Sequence, residues 1–156
     1  MADLVAVGDH LIHWQSPLCT LDDLQAAIAR YPGRRGRTVL TEAIGLLDDH
    51  SESPQESRLR VLLHSVGIVG LVANLRITVR GRRYRADLAL PRWKVAIEYQ
   101  SDYHRDADQW RKDMSKRESI ATIGWHTMEM NADDLSLGRE LGERVRGVVA
   151  NRPVFD

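Results

Sequence analysis

The spacing of apolar residues predicts helices in the first third of the chain. LDDLQAAIARY follows a Thr20 N-cap and carries acids in its first turn, which predicts a helix over residues 21–31. Apolar residues recur at helical spacing again over residues 39–47. A third helix is predicted from Ser53, because Ser-Pro-Gln-Glu combines an N-cap, a first-position proline and a capping-box acid. Residues 1–19 show no clear pattern, and His13, Trp14 and Pro17 indicate an irregular or partly helical segment.

From Asn74 the apolar period changes to two. NLRITVR, RRYRADLAL and WKVAIEYQ, separated by turns near Gly81 and at Pro91, predict an antiparallel three-strand meander. Helical spacing returns over residues 106–123, WHTMEM predicts a further strand, and a last helix is predicted near the C-terminus. From residue 53 the predicted order is α-β-β-β-α-β-α, which indicates an α/β domain over 53–156 preceded by a helical extension over 1–52.

Composition excludes several classes of protein. The 156 residues are 43% hydrophobic and 28% charged, which suits one packed domain with a small appendage. Lys and Arg number 22 and Asp and Glu number 22, so whole-chain charge does not indicate a nucleic-acid partner. Cys19 stands alone, which excludes an internal disulfide and a cysteine-based zinc site. No membrane partner is expected, and without a membrane-spanning run or secretory signal a cytoplasmic protein is expected.

Asp87 and Glu98 lie on neighbouring predicted strands and are the strongest indication of chemistry. If Pro91 and Arg92 form a two-residue turn, Asp87 lies opposite Ala96 and diagonal to Glu98, at about 7–8 Å. Acids among apolar neighbours are costly unless they are paired or bind a metal. Oxygen ligands without thiolates favour Mg²⁺ or Mn²⁺. The alternative is a pair of strand acids that face solvent or neighbouring arginines.

Four segments in this order carry a family resemblance. They are ESRLRVLL, YRADLALP, EYQSDYH and QWRKDMSKRESIATIGWHTME, within residues 53–135. Their pattern resembles the PD-(D/E)XK, or restriction-endonuclease-like, nucleases. It is most similar to uncharacterised bacterial endonuclease-domain proteins related to very-short-patch repair endonucleases. The resemblance implies a mixed sheet flanked by helices and Mg²⁺- or Mn²⁺-dependent hydrolysis of phosphodiester bonds, with DNA as the expected substrate.

The resemblance also implies roles for individual residues. Asp87 and Glu98 would hold the metal and take part in catalysis. Glu56 would help to hold the metal or its water, or would cap its own helix. Gln100 stands where close relatives have Asp, and it would orient water or close the strand. His104 would exchange protons beside the metal, or would be a surface residue at a helix entry.

Basic residues supply candidate contacts to nucleic acid. Arg82 and Arg83 lie at the tip of the predicted hairpin, in a stretch without acids. Their alternative role is to protect an edge strand from aggregation. Arg111 and Arg117 lie on the helix that follows the meander, among residues of both charges that are typical of a solvated face.

Two rival functions stay open at this point. The first is a catalytically inactive nucleic-acid-binding or regulatory module that retains the nuclease fold, which the neutral net charge and Gln100 favour. The second is a protein-interaction domain unrelated to nucleic acids, which predicts no metal binding. The sequence leaves the oligomeric state undetermined and is compatible with a dimer.

Overall fold

The computed structural model describes residues 1–100 and 107–155, and side chains of residues 1–100 and 114–155. This part of the chain contains six α-helices and four β-strands. The helices are α1 (Ala2–Ile12), α2 (Leu21–Arg30), α3 (Arg37–Ile44), α4 (Pro54–Ser65), α5 (Ala107–Ala121) and α6 (Gly138–Ala150). The strands are β1 (Val72–Val79), β2 (Arg82–Leu90), β3 (Val95–Tyr99) and β4 (His126–Met130).

The chain divides into two compact units, Met1–Leu62 and Leu63–Asp156, and α4 crosses the division. The sequence placed all of α4 with the C-terminal domain. The predicted domain boundaries, an extension over 1–52 and a domain over 53–156, stay predictions.

The N-terminal unit is helical. Thr20 begins α2 with the predicted cap: its hydroxyl accepts a bond from the Asp23 amide at 3.1 Å, and the Asp23 carboxylate accepts the Thr20 amide at 3.0 Å. Helix α1 lies in the segment that showed no clear pattern. Its residue Val5 is fully buried and packs in a small core with Ala43 and Val61. That core joins α1 to α3 and to the first part of α4.

The C-terminal unit is built on a mixed four-stranded sheet in the order β1-β2-β3-β4. The pairs β1–β2 and β2–β3 are antiparallel, which is the predicted meander. Strand β4 pairs with β3 in parallel after the crossover through α5. The order from α4 onward is α-β-β-β-α-β-α, as the sequence predicts.

The two connections of the meander differ. Arg80 and Gly81 join β1 to β2 with φ of 48° and 80°, and positive φ at both central residues is the requirement of a type I′ hairpin turn. The second connection is longer than predicted, because Pro91–Trp93 form a 3-10 turn and Lys94 follows with φ of 47°. Strand β3 therefore begins at Val95, not at Trp93.

The longer connection corrects the predicted alignment of β2 and β3. Ala89 pairs with Ala96 and Leu88 pairs with Ile97, so the next step brings Asp87 opposite Glu98 and not opposite Ala96. Four connecting residues replace the two that were assumed. Because the two connections differ by an even number of residues, Asp87 and Glu98 still lie on the same face of the sheet, as predicted.

Helix α5 packs on one face of the sheet. Its residue Ile120 is fully buried in a cluster with Ile77, Val79, Ala86, Ala89 and Ala96, which come from β1, β2 and β3. Tyr84 of β2 adds a hydrogen bond of 2.9 Å from its hydroxyl to the Ser119 hydroxyl. These contacts hold the C-terminal part of α5 against the sheet.

Helix α6 approaches another part of the C-terminal unit closely. A Cβ added at Gly142 would lie 2.7 Å from the Val66 side chain, so this position requires a glycine or a shift of Val66. No helix within the described residues is long and apolar enough to cross a membrane.

Candidate active site

Three acidic residues lie side by side across adjacent strands of the sheet. Glu98 of β3 pairs in register with Glu129 of β4, and Asp87 and Glu98 flank the Leu88–Ile97 pair of β2 and β3. Asp87, Glu98 and Glu129 therefore form a row that crosses β2, β3 and β4. The sequence predicted the first two members but not Glu129, because the pairing of β3 with β4 depends on the crossover.

Asp87 is oriented by the backbone of the neighbouring strand. Its Oδ2 accepts a hydrogen bond from the Tyr99 amide at 2.8 Å. The side chain is half-buried at this position. A carboxylate that accepts a backbone amide has a restricted orientation, so Asp87 is held toward the end of β3 where Glu98 lies.

Glu98 forms an ion pair with a lysine of α5. The distance from Lys116 Nζ to Glu98 Oε2 is 2.7 Å, and the side chains are 22% and 13% exposed. Partial burial makes this pair stronger than a fully solvated one. The sequence indicated a solvated face for the charged residues of this helix, because helical spacing does not show which turn of α5 meets β3.

Gln100 lies at the end of β3 and contacts the third acid. Its Nε2 donates to Glu129 Oε1 at 2.9 Å, and its backbone amide donates to the Met130 carbonyl oxygen at 2.6 Å. The Arg117 guanidinium also contacts Glu129. Glu129 therefore positions both Gln100 and Arg117, and the predicted phosphate contact of Arg117 competes with this ion pair.

The row of acids has the donor chemistry of a hard divalent cation. Mg²⁺ in proteins is normally held by one or two carboxylates together with water and substrate oxygens. Asp87 and Glu98 supply two carboxylates on adjacent strands. Lys116 and Arg117 already bind Glu98 and Glu129, so a cation would compete with them for these carboxylates. The residues present nevertheless fit Mg²⁺ or Mn²⁺.

Glu56 takes the capping arrangement that its sequence position allowed. Its Oε1 accepts the Ser53 hydroxyl at 2.9 Å, and its backbone amide donates to the Ser53 hydroxyl oxygen at 3.2 Å. Its Oε2 accepts the Glu52 amide at 3.1 Å. These bonds explain Glu56 as a cap of α4 within the N-terminal unit, and its catalytic role stays a prediction.

The other predicted residues are placed as follows. Arg82 and Arg83 begin β2 directly after the hairpin turn, and both are exposed. His104 and the side chain of Arg111 lie outside the described residues. Among the part of the chain that is described, the positive charges nearest to the acids are those of Lys116 and Arg117.

A second group of possible ligands lies in the N-terminal unit. Asp48, Asp49 and His50 have ligand atoms within 4.8 Å of one another, and within the described residues this is the group of three that meets that distance. His50 Nδ1 lies 2.5 Å from Asp49 Oδ1, and the His50 amide donates to Asp48 Oδ1 at 2.9 Å. The sequence signal was the adjacent Asp-Asp-His. These contacts within the group account for its geometry without an ion.

Comparison with known proteins adds distant relatives. No protein-family model matches the chain. Two uncharacterised proteins of Mycobacterium tuberculosis, from strains CDC 1551 and H37Rv, are each 26% identical to it over 125 residues. The match covers 78% of this chain and 45% of each relative, so the chain spans less than half of their length. A function for this chain therefore has to be argued from its own residues.

Proposed function

We propose that this protein hydrolyses phosphodiester bonds in nucleic acid, with DNA as the substrate, through a divalent-cation centre in a restriction-endonuclease-like core. The observation that carries the proposal is that Asp87 accepts the Tyr99 amide at 2.8 Å, beside Glu98 of the same strand end, while Lys116 lies 2.7 Å from Glu98. The element order α-β-β-β-α-β-α supports it.

In this proposal Asp87 and Glu98 hold Mg²⁺ or Mn²⁺. When bound, the cation makes water a better nucleophile and balances the charge that develops on the phosphate oxygens. The Tyr99 amide keeps Asp87 oriented, which reduces the reorganisation needed when a cation binds. Gln100, held through Glu129, presents its amide oxygen as an acceptor that can orient water.

Lys116 supplies the positive charge that Gln100 cannot. In the commoner form of the motif a lysine stands at the position of Gln100, two residues after the strand glutamate. Here the Lys116 ammonium reaches Glu98 from α5. When the carboxylate binds a cation, the ammonium is placed to interact with a phosphate oxygen. The α5 lysine thus offers the same charge from a different element.

The second candidate function is a nucleic-acid-binding module without catalysis. It is favoured by the bonds that the acids already make: Lys116 neutralises Glu98, and Gln100 and Arg117 bind Glu129. A carboxylate satisfied by protein groups gains less from a cation than an unsatisfied one. The two candidates predict the same DNA binding and differ in metal-dependent cleavage.

Cleavage of supercoiled plasmid separates the candidates. The chain is incubated with plasmid, single-stranded DNA or RNA in Mg²⁺, Mn²⁺ or EDTA. We expect nicking that requires the metal and that falls more than about 100-fold in Asp87→Asn and Glu98→Gln, the scale of losing one charge-stabilising group. Glu140→Gln, which alters an exposed acid of α6, is the matched control and retains wild-type nicking.

The opposite results are equally clear. Wild-type protein that binds DNA but cuts none of the substrates in either metal would favour the binding module. Nicking that persists in Asp87→Asn and Glu98→Gln would point to a contaminating nuclease or to a different centre.

A further inference from the structure

A polar cavity lies between the β1–β2 hairpin and α5. Its volume is about 360 Å³, within the range of pockets that hold small ligands. The hairpin contributes Val79, Arg80, Arg82 and Tyr84, and α5 contributes Glu118, Ser119 and Thr122.

The hydroxyl groups of this cavity are engaged inside the protein. Tyr84 donates to Ser119 Oγ at 2.9 Å, Ser119 donates to the Ser115 carbonyl oxygen at 2.7 Å, and Thr122 donates to the Ser119 carbonyl oxygen at 2.7 Å. The hydroxyl protons therefore serve the wall of the cavity. The N–H donors that remain for a ligand are the guanidinium groups of Arg80 and Arg82.

Arg80 and Arg82 give the cavity an excess of positive charge. Neither side chain forms an ion pair with another residue that the structure describes. Among the described residues of the lining, Glu118 is the single acid, and it is exposed. Each guanidinium carries parallel N–H donors, which match an anion with several oxygens, such as a phosphate group.

The position of the cavity along α5 links it to the row of acids. Ser119 lines the cavity, and Lys116, three residues earlier, contacts Glu98. Residues three apart lie on the same side of a helix, and their separation along the axis is about 4.5 Å. Along β2, Arg82 precedes Asp87 by five residues, or about 16 Å of extended strand, so a phosphate in the cavity would lie well away from the one at the candidate centre.

From this arrangement we propose that Arg80 and Arg82 form a phosphate subsite. It holds a stretch of the nucleic-acid backbone away from the phosphodiester at Asp87 and Glu98, and this placement rests on the proposed function. The sequence predicted Arg82 and Arg83 together as phosphate contacts, whereas this subsite includes Arg82 without Arg83. Arg82 lines the cavity with Tyr84, whereas Arg83 is absent from the lining because successive strand residues point to opposite faces. Contacts to phosphate position a strand without reading its bases.

The test measures DNA binding in EDTA, so that cleavage does not interfere. Fluorescence anisotropy with a short labelled duplex is recorded over a series of KCl concentrations for the whole chain. The variant Arg80→Asn/Arg82→Gln removes both charges, and Asn-Gly is a favoured type I′ turn, so the hairpin is retained. Circular dichroism checks the fold of each variant.

We expect the double variant to bind about 10-fold more weakly. The slope of log K against log salt should fall by about 0.9, the value for one phosphate contact on a duplex. Arg82→Lys keeps the charge and should retain the slope. Arg83→Gln separates this subsite from the pair predicted by sequence, and Arg139→Gln, an exposed arginine of α6, is the control for loss of charge alone.

The subsite is overturned if the double variant keeps the wild-type slope, if Arg83→Gln matches its effect, or if the wild-type chain does not bind DNA. These results are independent of cleavage. A chain that cuts DNA with Mg²⁺ but keeps its slope in the double variant would lose the subsite and retain the proposed function. A chain that shows the expected slopes but never cuts would retain the subsite and lose the catalytic proposal.

Discussion

Glu98 has two competing partners at the residue scale. Lys116 binds its Oε2 at 2.7 Å, and in the proposed function a divalent cation binds the same carboxylate. Both interactions are electrostatic, and the low exposure of the site strengthens each of them. The competition between Lys116 and the cation for Glu98 therefore sets the affinity of the site for metal.

Replacement of Lys116 tests this competition. Lys116→Met removes the ammonium, so we expect the affinity for Mn²⁺ to rise by about 10-fold, or about 1.4 kcal/mol. Without metal the variant should lose about 1–3 kcal/mol of stability, because a mostly buried carboxylate loses its ion pair with Lys116. Calorimetric titration and urea unfolding measure the two effects. Lys94→Met removes a charge at the other end of β3 and should leave the Mn²⁺ affinity unchanged. A weaker affinity in Lys116→Met would show that the lysine supports metal binding.

Gln100 gives the second prediction at this scale. A lysine in its place can pair with Glu129, whose Oε1 lies 2.9 Å from the Gln100 amide. We expect Gln100→Lys to fold normally and to retain or increase metal-dependent nicking. Gln100→Asp places another carboxylate beside Glu129, so it should lose about 1 kcal/mol of stability without metal. Mn²⁺ should reverse that loss in thermal unfolding. Equal stability of both variants without metal would show that Glu129 does not control this position.

Two ion pairs join α1 to α4 at the scale of elements. Asp9 is 1% exposed and accepts Arg60 Nη2 at 2.7 Å, Ser57 Oγ at 2.6 Å and the Asp48 amide at 2.8 Å. Asp3 binds Arg58 of α4 at 2.7 Å, but the Asp3 side chain is 82% exposed. The two ion pairs have similar distances but differ in solvent exposure. Comparing them therefore measures how much burial contributes to the stability that each pair provides.

Urea unfolding of Asp9→Asn and Asp3→Asn compares them. Removing one partner of a buried pair costs about 3–5 kcal/mol, because the other charge stays desolvated. We expect a loss of that size for Asp9→Asn. For Asp3→Asn we expect less than about 1 kcal/mol, since solvent screens the exposed pair. Similar losses for the two variants would contradict the buried network around Asp9.

At the scale of the whole molecule, charge is balanced in number but uneven in place. The 22 basic and 22 acidic residues cancel, while the hairpin stretch from residue 80 to 85 carries four arginines and no acid. Local fields of this kind steer nucleic acid without a net charge. The chain spans 45% of each mycobacterial relative, so the substrate and partners of any longer protein remain proposals.

The stability of the folded chain should also depend on the protonation of His126. Burial, and then the positive charge of Arg152, lower the pKa of His126 below its usual 6.5. The unfolded chain therefore binds a proton more readily than the folded chain between the lowered pKa and 6.5. This contribution makes the protein less stable as the pH falls through that window. Urea midpoints at several pH values should show a shallower decline in His126→Gln. An unchanged pH profile would assign the decline to other groups.

The sequence by itself determined the helices and strands from Ser53 onward. Their order follows from apolar periodicity, and some boundaries follow from local signals such as the Ser53 cap and the turn at Gly81, whereas the start of β3 was predicted two residues too early. It also placed Asp87 and Glu98 on one face, because that inference depends on parity along the strands. The mixed α/β class follows from the same pattern. The nuclease role of Asp87 and Glu98 was predicted from the family resemblance, and the cleavage assay tests it.

Only the tertiary structure decided which side chains meet. The turn at Pro91–Trp93 and Lys94 aligned Asp87 with Glu98, since the length of a connection sets the register of the strands that it joins. The parallel pairing of β4 brought Glu129 beside Glu98, and the packing of α5 brought Lys116 to the same place. These contacts join residues far apart in the chain. Local periodicity carries no information about them, because they depend on how the crossover helix lies on the sheet.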